Sequence, residues 1–198
     1  MLTDFVRYWS SGIVVPITRF IGWSGVSPNI VTIAGFSLTV VDAVLLATGH
    51  VQAAGLLLIL AAVLDAIDGS LARLQNRVTR FGAFLDSTID RLSEAVLFLG
   101  ILAYYVNRGQ ADLEIILVFV ALVGSLMVSY TKARGEATGV AVKGGLLTRF
   151  ERMVILIVAM VFNELSAALW ILAVLTNLTA LQRIWLVWRA TREEGNRQ

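Results

Sequence analysis

With 198 residues, 58% of them hydrophobic and 15% charged, at a mean hydropathy of +0.80, this chain falls outside the range of ordinary soluble domains. It has no cysteine, which removes disulfide frameworks and thiolate metal sites, and its single histidine, His50, leaves little for histidine-based catalysis or ligation. The net charge of +2 reads as membrane topology rather than nucleic-acid binding: of sixteen Lys and Arg, only Arg108 falls in a loop placed outside, which is the positive-inside pattern.

Stretches long enough to cross about 30 Å of hydrocarbon recur along the sequence, so it reads as one all-α integral membrane domain. Residues 1–25 are expected to form an amphipathic helix in the interface. Phe5, Trp9, Ile13, Val14, Ile17 and Phe20 mix there with Asp4, Arg7 and Arg19, too polar to span and too apolar for water, with Pro16 a candidate kink. Residues 26–188 are read as a bundle of six transmembrane helices. The first, about 29–48, opens at Pro28 with Ser27 as its cap, and carries Asp42 toward its far end, facing the bundle or the outer interface. Gly49 and His50 turn into a second span, about 51–73; a polar, basic loop over 74–80 leads to a third, about 81–105. The turn at 107–110 starts a fourth, about 111–137, whose Gly and Ala residues, like those of the third, suit close helix packing. A Gly-rich loop precedes the fifth, from about 146 to 162, and residues 163–166 turn it into a sixth, about 167–188. Trp185 and Trp188 are placed as interface anchors, and 189–198 as a solvated tail. An even number of spans puts both termini on the cytoplasmic side, and residues 1–12 show no cleavable signal pattern.

The chemistry concentrates in residues 64–94. Asp65 and Asp68 are i, i+3 near the end of the second span; Asp86 and Asp90 are i, i+4 near the start of the third. On helices each pair shares one face, and an antiparallel fold-back brings all four carboxylates together at one depth. Each Asp at the centre of a bilayer costs roughly 2.5–3.5 kcal/mol, so the set needs a partner or a purpose. One or two hard divalent cations, two being the expectation, would remove the mutual repulsion; Mg2+ and Mn2+ fit the oxygen donors equally. Simple pairing with Arg73, Arg77, Arg80 and Arg91 would not require Gly69 and Gly82 at their positions.

The spacing Asp65-x2-Asp68-Gly69-x2-Ala72-Arg73-x8-Gly82-x3-Asp86-x3-Asp90 resembles the signature of the CDP-alcohol phosphotransferases. That resemblance implies metal held by Asp65, Asp68, Asp86 and Asp90, with Asp90 as general base for the attacking hydroxyl. It also implies that Asn29, Ile30, Val31, Thr32, Gly69, Ala72, Arg73 and Thr79 bind CDP-diacylglycerol (CDP-DAG), and that the protein is a homodimer.

A second polar group sits at the same membrane level. Ser129 and Lys132 end the fourth span, Arg149 and Arg152 begin the fifth, and Arg183 closes the sixth, so cations from three helices converge as a phosphate dianion requires. With Gly144, Gly145, Glu151 and Gln182 they resemble the phosphatidylinositol phosphate synthases of the same family, whose matching residues surround the acceptor's phosphate. The implied reaction is transfer of a phosphatidyl group from CDP-DAG to inositol 1-phosphate with release of CMP, at a site just inside the cytoplasmic leaflet of the cell membrane. Glycerol 3-phosphate as acceptor is an alternative with the same chemistry, and a cation transporter using the carboxylates is one from another class.

Overall fold

The computed structural model describes residues 16, 18, 26–75, 79–109, 111–142 and 144–195; the expected interfacial helix over 1–25 lies almost wholly outside them. Among the described residues there are six helices and no strand: α1 (Pro28–Ala47), α2 (Val51–Leu74), α3 (Arg80–Arg108), α4 (Asp112–Ala137), α5 (Arg149–Phe162) and α6 (Leu165–Gly195). The helices close into a ring, α1 against α2, α2 against α5, α5 against α6, α6 against α4, α4 against α3 and α3 back against α1.

Local chemistry sets the ends. Pro28 starts α1, but the Ser27 side chain makes no cap; its backbone carbonyl accepts from Ile30 N–H instead. Thr79 caps α3, its hydroxyl accepting from Gly82 N–H at 2.9 Å. α5 begins three residues later than the apolar pattern suggests. Gly144 and Gly145 take positive φ, and Thr148 with Glu151 forms a capping box in which Thr148 N–H donates to Glu151 Oε2 at 2.9 Å. At the other end, α6 runs on through the residues read as a solvated tail. The Arg189–Glu193 pair, and Arg192 stacked over the Trp188 ring, carry the helix past Trp188.

Four helices, α1, α2, α4 and α6, are long and apolar enough to cross a membrane. Their outer faces show a belt that water would not tolerate, with Val40, Val44, Leu56, Phe119, Trp170 and Leu178 exposed. Inside, the ring has two unlike halves. The large apolar core, which includes Leu46, Leu58, Phe98, Ile101, Leu156 and Leu169, fills the half toward the α1–α2, α3–α4 and α5–α6 turns. The opposite half holds a small cluster of Val31, Ile67 and Leu71 beside a set of charged side chains. The small residues of α3 and α4 are used within this ring: a Cβ on Gly100 would stand 2.6 Å from Ala43 Cα, and one on Gly124 would overlap Thr176.

Asp42 is buried, at 0% exposure, in the apolar half, and neither carboxylate oxygen has a hydrogen-bond partner among the described residues. An unpaired polar group there weakens the fold. Asp42→Leu, which replaces the unpaired group with an apolar side chain of similar size, should raise stability by about 1–2 kcal/mol, or roughly 2–8 °C in a melt at this chain length, with turnover unchanged. A fall in melting temperature would show that the carboxylate has a partner of its own.

Candidate active site

α2 ends and α3 begins at the polar half of the ring, and their antiparallel return brings carboxylates together as the spacing predicts. Oxygens of Asp65, Asp68 and Asp86 lie within 4.8 Å of one another. α1 contributes Thr32, whose hydroxyl donates to Asp68 Oδ2 at 2.6 Å and so fixes that side chain. Three carboxylates from two rigid helices, one held by a hydroxyl, suit a hard divalent cation: every donor is oxygen, and three negative charges meet a single forked guanidinium, that of Arg149 on Asp65.

Asp90 is not in that group of three. One turn beyond Asp86 on α3, it meets the guanidinium of Arg149 from α5. Arg149 Nη1 lies 2.7 Å from Asp90 Oδ1, off the line of its N–H bond, and donates to Asp65 Oδ2 at 2.9 Å, while Nη2 donates to Asp65 Oδ1 at 3.1 Å. One guanidinium thus ties the first and last carboxylates of the motif. The simple convergence of all four Asp is replaced by a trio plus an arginine-bridged pair, because four residues along α3 advance Asp90 by about 6 Å.

Beside the trio opens a cavity of about 310 Å3. Asn29, Thr32, Gly69, Ala72, Arg73 and Thr79 line it, together with Asp68, Gly82 and Asp86. Ile30 and Val31 do not. α1 is already helical at Pro28, so Asn29 and Thr32 share the cavity face, whereas Ile30 is 59% exposed on the outer surface and Val31 packs with Ile67 and Leu71. Gly69 keeps the wall low: a Cβ there would approach Arg73 Nη1 to 3.7 Å.

The second set of cations is only partly assembled. Arg152, 1% exposed, is gripped by Glu94 of α3, with Nε and Nη2 at 2.7 and 3.0 Å from the two carboxylate oxygens. Arg183, also buried, lies within coulombic reach of Arg152 and donates from Nε to Gly144 O at 3.2 Å and from Nη1 to Val128 O. Ser129 is half-buried. Lys132 is exposed and paired to Glu136 at 3.8 Å, one turn on along α4 rather than across the ring. Glu94 is the residue that the sequence reading passed over. Its signal was available: Asp86, Asp90 and Glu94 recur every fourth residue and so line one face of α3.

Apolar helices that close around a carboxylate cluster, at the mouth of a cavity with arginines beside it, define a membrane-embedded enzyme of metal-assisted phosphoryl chemistry. The chain belongs to the CDP-alcohol phosphatidyltransferase family, whose model matches residues 25–188. It is 38% identical over 162 residues to the archaetidylinositol phosphate synthase of Pyrococcus horikoshii, covering 81% of this chain and 83% of that protein. The crystal structure of the Mycobacterium tuberculosis phosphatidylinositol phosphate synthase with CDP-DAG bound superposes with a TM-score of 0.81 at 34% identity, covering 89% of this chain and 94% of that one. The same enzyme in complex with manganese and citrate superposes with a TM-score of 0.83 at 34% identity, covering 88% of each chain.

Proposed function

We propose that this protein transfers a phosphatidyl group from CDP-DAG to inositol 1-phosphate, giving phosphatidylinositol phosphate and CMP. The observation that carries this reading is the meeting, in one half of the ring, of the Asp65–Asp68–Asp86 trio, the cavity over Gly69 and the arginines of α5. The CDP group would occupy the cavity, with Arg73 on its pyrophosphate and Asn29, Thr32 and Thr79 on its polar edges. Divalent metal bound by the carboxylates would neutralise charge on the pyrophosphate and the leaving oxygen.

The acceptor's hydroxyl oxygen would attack the β-phosphorus, forming the new P–O bond. The bond from that phosphorus to the bridging oxygen would break, so that CMP departs with the electron pair, and the hydroxyl proton would pass to Asp90. Arg149, Arg152 and Arg183, with Ser129 and Lys132 at the rim, would hold the acceptor's phosphate and so raise its effective concentration at the reacting centre. The decisive assay supplies CDP-DAG with inositol 1-phosphate, glycerol 3-phosphate or free inositol and follows CMP release with Mg2+ or Mn2+. Turnover should be highest by a wide margin with inositol 1-phosphate. A clear preference for glycerol 3-phosphate would move the protein to the other branch of the same chemistry, and ion flux without CMP release would make it a transporter.

The same reading makes residues 26–188 a single six-span domain in the cell membrane, with the active site and both termini facing the cytoplasm. α3, at 29 residues, is long enough to span, with its charges at the site end except for Arg108 at the other. α5, at 14 residues, covers about 21 Å, and the non-helical residues 144–148 that precede it would make up part of the remaining depth. A reporter fused after Gln198 should read as cytoplasmic, and one inserted at Gly109 as external. The same reading from both positions would remove the even span count.

A further inference from the structure

The mechanism above makes no use of Glu94, although this carboxylate is 3% exposed and lies one turn beyond Asp90. Its two oxygens take the Nε and Nη2 edge of Arg152. The third nitrogen, Nη1, is buried and has no hydrogen-bond partner among the described residues. A guanidinium is planar, so clamping one edge fixes the direction of the opposite corner. Leaving that corner's N–H groups dry and unpaired is costly, unless a ligand supplies the acceptor.

The surroundings indicate which kind of ligand. Arg149 lies one turn earlier on the same helix, and Arg183 sits within coulombic reach of Arg152 from α6. Glu94 neutralises one of these cations; Asp65 and Asp90 engage another. Among the described residues, Arg183 has only the backbone carbonyls of Gly144 and Val128 as hydrogen-bond acceptors, so a phosphate placed beside Arg152 would give both guanidiniums a charged acceptor. The helix packing bears on this as well. α3 packs along α1 and α4, and α5 along α2 and α6. Across the ring, α3 and α5 are joined by two rungs of long side chains, Asp90 with Arg149 and Glu94 with Arg152. A brace needed only for stability would be served as well by apolar side chains.

We propose that Glu94 is a positioning residue, holding Arg152 so that its Nη1 is presented to the acceptor's phosphate and thereby setting the preference for a phosphorylated over a free alcohol. This rests on the reading that Arg152 belongs to the acceptor pocket. The test uses the full-length protein in lipid nanodiscs, with Glu94→Gln, Glu94→Asp, Arg152→Lys and the Glu94→Gln/Arg152→Lys double variant. Readouts are kcat, the KM of each substrate, and calorimetric binding of inositol 1-phosphate and of inositol without CDP-DAG. Glu94→Gln should weaken inositol 1-phosphate by about tenfold in both KM and Kd, with the CDP-DAG KM within about twofold of the original. Glu94→Asp should recover part of the loss. In the double variant the loss should equal that of Arg152→Lys alone, because one residue acts through the other.

Additive losses, or two KM values that rise together, would overturn the proposal, as would a lowered melting temperature with acceptor affinity intact. Should Glu94→Gln not fold, Glu94→Met/Arg152→Met removes both charges at once. That variant, folded and with undiminished acceptor affinity, would also overturn it. The two levels separate cleanly. If Arg152→Lys leaves acceptor affinity unchanged, the pocket itself is misplaced and the proposal falls with it; if Arg152→Lys weakens the acceptor and Glu94→Gln does not, the role of Glu94 alone is lost.

Discussion

Asp90→Asn should cut CMP release by about two to four orders of magnitude, the range that a positioned general base supplies. The substitution keeps the shape of the side chain and one oxygen near Arg149 Nη1, so the site should stay assembled. CDP-DAG binding should be little changed, because the cavity over Gly69 is lined without Asp90. Mn2+ affinity is the discriminating measurement. Asp65, Asp68 and Asp86 form the close trio, so Asp68→Asn should weaken Mn2+ more than Asp90→Asn does, as read by the spin-resonance signal of free Mn2+. If excess Mn2+ restores the rate of Asp90→Asn, the residue holds metal and is not the base. An unaltered rate would exclude both roles.

The helices were legible because each depends on local information. The first span, expected over about 29–48, the turn at Gly49 and His50, and the fourth span, expected over about 111–137, all fell within about a turn of the observed bounds, which is the usual uncertainty at helix ends. The start of α5 was displaced because apolar Leu146 and Leu147 look helical by hydropathy alone. In fact Leu147 N–H is bound to Thr179 Oγ1 on α6, and the helix waits for the Thr148–Glu151 box. Such a tertiary hydrogen bond leaves no trace in periodicity. The end of α6 was missed for the opposite reason: Arg189, Arg192 and Glu193 read as solvated charge, but at i, i+4 spacing and over Trp rings they extend a helix.

At the site, the motif placed its carboxylates on the right helices but was silent on their neighbours. A spacing pattern reports which residues share a face, not what reaches them from another helix. Thr32 on Asp68 and Arg149 across Asp65 and Asp90 are contacts between segments far apart in sequence. Of residues 29–32, the α1 helix turns Asn29 and Thr32 to the cavity, while Ile30 faces outward and Val31 packs with Ile67 and Leu71. That orientation follows from the helical bounds and not from the motif. Glu94 with Arg152 joins the two cases, since its i+4 spacing was visible and its partner was not.

Arg149→Gln should separate two functions in opposite directions. In the structure its guanidinium forks onto Asp65 and touches Asp90, standing as a built-in cation among the carboxylates. Its removal leaves the cluster one charge more negative, so Mn2+ measured without substrates should bind more tightly, by about tenfold for a change near 1.4 kcal/mol. The acceptor should suffer the reverse. Loss of a charge-assisted, two-pronged donor should raise the KM of inositol 1-phosphate by about 10- to 100-fold and lower turnover with it. Gain of one ligand and loss of the other is hard to produce by misfolding, which would weaken both. Linkage makes the same point in the unaltered protein: if a phosphate draws Arg149 away from Asp65, then inositol 1-phosphate must tighten Mn2+ by the factor that Mn2+ tightens inositol 1-phosphate. A variant in which Mn2+ affinity falls along with acceptor affinity would mean that Arg149 props the carboxylates in place rather than competing for them, and the reciprocal tightening should then be absent.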